Sequence, residues 1–217
     1  MKNLVYILLG ILVLVFTSCE EDKEEVYIIN FNHLMKVATN NCFEDETFGF
    51  SIQVDNISEI ANETLETEVK EFSANKNLNH SGVLGSYNYN FEYNANVNDN
   101  TISYISTATG SYETVLMKSD DKITTDWNAS NLDANSDFIN ITGITKRNGD
   151  QYSKEYEDSI NSEITFNTED LVVNRITKKI KSGTINFTFT ASSSYGNNYT
   201  GSGEIVYSDY KKVINYN

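Results

Sequence analysis

The sequence predicts a mainly β fold, an antiparallel β-sandwich or an up-and-down β-barrel or meander, with one amphipathic helix in its N-terminal half. Three observations carry this. From about residue 82 onwards apolar and polar residues alternate, the period of strands with one dry and one wet face. Such strands belong in an antiparallel sheet, because parallel sheets are covered on both sides and read as continuous apolar runs. Before them, Ile57, Ile60, Ala61, Leu65, Val69 and Phe72 recur at helical spacing among Glu59, Glu63, Glu66, Glu68 and Glu71.

Taken in order, residues 26–38 fit either a strand or a helix. Phe48, Phe50, Ile52 and Val54 alternate with Gly49, Ser51 and Gln53, which predicts a half-buried strand, and the helix follows with Asp55 or Asn56 as its cap. Residues 73–81, rich in Asn and Lys, read as a loop. Tyr87, Tyr89, Phe91, Tyr93, Ala95 and Val97 form the dry side of a long strand, and Asn98-Asp99-Asn100 turns the chain into 102–108. Further turns are expected at Gly110-Ser111, at Ser119-Asp120-Asp121-Lys122 and at Asn148-Gly149, the last supporting a type I′ hairpin between 139–146 and 151–156. Ile160, Ile164 and Phe166, then Ile185, Phe187, Phe189 and Ala191, mark two more strands. A final pair near 204–207 and 212–216 is joined by Ser208-Asp209-Tyr210-Lys211. The sum is about ten short strands, with 26–217 read as one domain.

The N-terminus has a different character. Lys2 precedes an uninterrupted apolar run of 13 residues, 4–16. As a helix it reaches about 20 Å, against a hydrocarbon core of about 30 Å, so it is the apolar part of an export signal and not a membrane span. Phe16-Thr17-Ser18-Cys19 resembles a bacterial lipobox, with Phe16 where an aliphatic residue is usual. The acidic run Glu20-Glu21-Asp22-Lys23-Glu24-Glu25 resembles the export tag of Bacteroidota surface lipoproteins, Lys23-Glu24-Glu25 matching it. The resemblance implies a signal peptide over 1–18, acylation of Cys19, an acidic tether over 19–25, and a domain held to the outer membrane by acyl chains and exposed at the cell surface. Cys42 is then the one remaining thiol, so no internal disulfide forms, and it reads as a small buried hydrophobe.

Charge and motif content bound the function. The formal net charge is -15, and only Arg147 and Arg175 are arginines, which makes nucleic acid a poor partner. An anionic lipid surface is expected to repel so acidic a chain, leaving attachment to the acyl chains. His33 and His80 are the two histidines, far apart, and no nucleophile elbow, P-loop or HExxH helix occurs. No cofactor or metal site is therefore expected, and the protein reads as noncatalytic. Asn131, Asp133, Asn135 and Asp137 faintly resemble a calcium loop, but Phe138 and Ile144 stand at its two diagnostic positions.

Two aromatic features are candidate ligand contacts. Tyr195 and Tyr199 lie in 192–203, a stretch of Ser, Gly, Asn and Tyr with the composition of a binding loop; the alternative is a hairpin loop whose rings fold back on the sheet. Trp127 is either a stacking platform or the core anchor of its strand. Asp158-Ser159-Ile160 also resembles a short O-glycosylation motif of the same bacteria. These readings favour a surface module that binds a glycan or an envelope protein. The alternatives are a protective protein for a basic partner, and an extracellular hydrolase using paired carboxylates.

Overall fold

Alternation sustained over 14 to 17 residues at a time makes the six central strands long, and hydrogen bonding joins them with three shorter ones in chain order, nine strands among the described residues. The computed structural model describes residues 35–36, 49–82, 85–155 and 157–217. The expected export signal, Cys19 and the expected acidic tether, most of 26–38 including His33, Cys42 and Phe48 lie outside the described residues. One helix, α1 (Phe50–Glu66), precedes β1 (Glu71–Ser81), β2 (Gly85–Asn98), β3 (Thr101–Thr114), β4 (Met117–Ser130), β5 (Phe138–Ser153), β6 (Asp158–Asn174), β7 (Lys179–Ser193), β8 (Asn198–Ser208) and β9 (Lys211–Tyr216). Each strand pairs antiparallel with the next, so the chain forms an open up-and-down meander, neither a two-layer sandwich nor a closed barrel. Among the described residues, the expected antiparallel class and an amphipathic helix in the N-terminal half both hold.

The helix differs in extent from the spacing argument. It begins at Phe50, not at Asp55 or Asn56, and ends at Glu66, where Thr67 turns back onto the Glu63 carbonyl. Phe50 and Val54 fit both a strand alternation and the helical series Phe50, Val54, Ile57, Ala61. Packing decides between them: the Phe50 ring sits 4.6 Å from that of Trp127, and all four residues are buried. Asp55 and Asn56 become interior helix positions, Val69 is exposed and Phe72 belongs to β1.

The expected loop over 73–81 is the edge strand β1, paired from Glu71↔Asn96 to Ser81↔Ser86. An edge strand has one neighbour and tolerates the polar residues that misled the composition argument. Three expected turns are likewise absent. Gly110 lies inside β3, Asp120-Asp121 inside β4 and Asn148-Gly149 inside β5. These share one cross-strand row, Tyr89↔Gly110↔Asp121↔Gly149↔Ser162.

Period-2 alternation gives the sheet two unlike faces. The inner face carries Ile102, Tyr104, Trp127, Ile164, Phe166 and Phe187, which join the buried face of α1 in one core cluster drawn from β2 through β8. A second cluster, Tyr89, Phe91, Ala108 and Ile123, fills the inner face further along β2 to β4. Large rings repeatedly lie over a glycine of the neighbouring strand. A Cβ on Gly110 would stand 2.8 Å from the Tyr89 ring, one on Gly143 2.9 Å from Trp127, and one on Gly203 2.4 Å from Phe187. These notches let bulky side chains lie flat, and bulges near Gly143 and Glu169 bend the sheet around the helix.

Gly143 combines φ of +141° with a Cβ position 2.2 Å from the Asp126 carbonyl, whereas Gly196, at φ +83°, has nothing within 4 Å. Gly143→Ala is therefore expected to destabilise by more than ~2 kcal/mol and Gly196→Ala by about 1 kcal/mol. Denaturant unfolding of both variants checks the order.

Candidate functional site

The outer face is built from the polar half of the same alternation. One rung reads Asn88↔Ser111↔Asp120↔Asp150↔Asn161↔Ser192↔Asn198 across β2 to β8. The next reads Asn90↔Thr109↔Lys122↔Asn148↔Glu163↔Thr190↔Thr200. These side chains line a concavity of about 1040 Å³. A strongly twisted sheet is saddle-shaped, so a face that is convex over the helix becomes concave further along its strands. Strand spacing of about 4.8 Å makes the trough about 29 Å from β2 to β8.

A second concavity of about 490 Å³ shares Ser111, Asp120, Asp150 and Asn161 with the first and continues it towards the β3–β4 and β5–β6 hairpin tips. Here the outer face carries an aromatic group. Tyr152 is half-buried in the lining, with the Lys118 ammonium 5.1 Å from its ring centroid. Asp120 and Asp150 face each other directly across β4 and β5, which brings their Cβ atoms to about 4.5–5.5 Å.

Beneath this floor, on the inner face, a buried polar knot takes the place of apolar packing. Arg147 Nη2 donates to Asp121 Oδ1 at 2.8 Å, with side-chain exposures of 4% and 1%. Ser119 Oγ donates to the same oxygen at 2.6 Å, and Tyr89 OH donates to Oδ2 at 2.8 Å. Burial and the Asp121 charge hold the Tyr89 hydroxyl far above its ordinary pKa, so it stays a donor. Gly149 leaves room for the pair, since its Cβ would stand 2.7 Å from Asp121 Oδ1. The knot joins β2, β4 and β5 and fixes the backbone from which Asp120, Lys122, Asn148 and Asp150 project outward.

The sequence-derived candidates fall elsewhere. Trp127 is fully buried, so it anchors the core and offers no face to a ligand. Tyr195 and Tyr199 are not brought together. The expected loop over 192–203 is mostly strand, since β7 and β8 already pair at Ser192↔Asn198. Tyr195 is 69% exposed in the short turn, while Tyr199 points to the inner face with its ring 5.9 Å from Phe189. The segment 131–137 is held by its own bonds, Asp133 Oδ1 accepting from the Asn135 amide at 2.9 Å and Asn131 Nδ2 donating to the Phe138 carbonyl at 2.8 Å. Among the described residues no group of three or more His, Cys, Asp or Glu is arranged to hold a metal, and no helix is long and apolar enough to cross a membrane. Asp158 is buried and accepts from Ser194 N and Oγ, while Ser159 is exposed beside Tyr152 in the trough.

Tyr152 was hidden by the turn reading of Asn148-Gly149. Carried unbroken through Gly149, the period of two puts Asn148, Asp150 and Tyr152 on one face. Comparison with family models, curated proteins and solved structures finds no match to this chain.

Removing one partner of the buried pair leaves the other charge uncompensated. Arg147→Met is expected to cost about 3–5 kcal/mol, and replacing the whole knot with apolar groups, by adding Asp121→Leu, Tyr89→Phe and Ser119→Ala, to recover most of it. Denaturant unfolding of the single and fourfold variants checks this; a fourfold variant no more stable than the single one contradicts it.

Proposed function

We propose that this chain is a lipid-anchored envelope protein, acylated at Cys19, whose outer sheet face binds a glycan without catalysis. The observation that carries the reading is the chemistry of the trough. Of the fourteen side chains in its two rungs, ten are uncharged amides or hydroxyls, three are carboxylates and one is a lysine. Sites for drug-like ligands are mostly apolar, and protein interfaces have apolar centres. This surface offers neither. It suits a hydroxyl-rich polymer that lies along the strands' cross direction, bonded directly or through water, with Tyr152 as its stacking ring. The net acidity of the trough argues against nucleic acid and against polyanionic sugars.

The facing pair Asp120 and Asp150 favours one second reading, a glycoside hydrolase with paired carboxylates in the same trough. The two readings separate on turnover, since a binding module retains an oligosaccharide that a hydrolase shortens.

A glycan panel probed with the protein, followed by titration of the best ligand, tests the reading. Asn148→Ala with Asn161→Ala, both at exposed positions, is expected to weaken binding tenfold or more, at about 1 kcal/mol per lost hydrogen bond, while Tyr195→Ala leaves it unchanged. Undiminished binding by the double variant removes the site. Radiolabelled fatty acid is expected on the wild type and absent from Cys19→Ala.

A further inference from the structure

The two polar rungs do not stop at β2. Asn88 pairs with Asn79 and Asn90 with Asn77 on the edge strand β1, and both β1 asparagines are exposed. At the other side the rungs end on β8 with Asn198 and Thr200, where β9 no longer follows, since it pairs only with Gly203 to Ser208. The trough thus runs from one edge of the sheet to the other, about 34 Å over eight strands. Among the described residues no further strand walls off either end. A chain lying in it can pass through.

Each strand supplies one residue to each rung, so the lining repeats with the strand spacing of about 4.8 Å. The charges fall in the middle, Asp120, Lys122, Asp150 and Glu163 on β4 to β6, while the outer strands on both sides contribute Asn, Ser and Thr alone. Those groups both donate and accept hydrogen bonds, as sugar hydroxyls do. An extended peptide repeats at about 3.4 Å per residue and falls out of step with such a lining. A pyranose chain with equatorial linkages advances by nearly one strand spacing per unit, whereas a coiled α-linked glucan advances by much less.

We infer that the trough takes the interior of a linear, neutral polysaccharide with extended linkages of the β-1,4 type, one sugar unit to each strand, and does not recognise chain ends. The inference rests on the glycan reading above and names the kind of glycan. It holds whether the facing carboxylates Asp120 and Asp150 only orient the chain or cut it, because β1 to β3 lie on one side of that pair and β6 to β8 on the other. Each added sugar meets one more pair of side chains until the strands run out.

The test is calorimetric titration of the full chain with β-1,4-linked oligomers of glucose, mannose, xylose and N-acetylglucosamine, from disaccharide to decasaccharide, with the α-1,4-linked glucose series as the coiled control. Affinity in at least one β-1,4 series is expected to rise several-fold with each added unit and to level off near the octasaccharide, and reduction of the terminal sugar to leave it unchanged. Asn77→Ala with Asn79→Ala, at the exposed edge, is expected to weaken the octasaccharide several-fold and to leave the tetrasaccharide unaffected. Full affinity already at the disaccharide, preference for the α-linked series, loss on end reduction, or an octasaccharide bound undiminished by the double variant would each overturn the inference and leave the glycan reading standing. So would silence in all these series from a protein that binds another glycan on the panel. A protein that binds no glycan at all would remove both.

Discussion

A side-chain period of two, kept in register across strands of up to 17 residues, is the constraint on which the rest of this structure depends. Each hairpin inherits its register from the one before, so a single slip would move an entire set of rings from the core to water. The long pairings β2 to β7 admit irregularities only near Gly143 and between Glu169 and Val173. One alternation therefore makes both the core that holds α1 and the polar trough on the opposite side.

The row Tyr89, Gly110, Asp121, Gly149 and Ser162 connects the two faces. Inside, the glycines make space for a tyrosine ring and a buried ion pair; outside, the residues next to them in each strand line the trough. A buried pair of this kind adds little net stability and is expensive to break. Its effect is to fix geometry, because Asp121 accepts from three side chains on β2, β4 and β5 at once. The facing carboxylates Asp120 and Asp150 stand directly above this rigid floor.

Much of the fold was legible in the residues. The alternations from Tyr87 to Val97, Ile160 to Phe166 and Ile185 to Ala191 are β2, β6 and β7, and the turns at Asp99 and Asp209 fall where the polar clusters placed them, each with a residue at positive φ. The absent turns share one cause. Gly, Asn and Asp punctuate turns in most chains, but at Gly110, Asp121 and Gly149 they serve contacts with other strands, which local composition does not contain. That misreading broke the parity of β5 and concealed Tyr152. The Ser, Gly, Asn and Tyr composition of 192–203 does not make a binding loop, since Tyr195 is an exposed turn residue and Tyr199 packs on Phe189.

The two faces make unequal demands on stability. Denaturant unfolding of Asn148→Ala and Ile164→Ala, residues of adjacent strands on opposite faces, measures the difference directly. Loss of the buried isoleucine is expected to cost about 2–5 kcal/mol and loss of the exposed asparagine less than about 0.5 kcal/mol. Equal costs would mean that the outer rungs hold the sheet together, and would contradict a polar face that is free to bind.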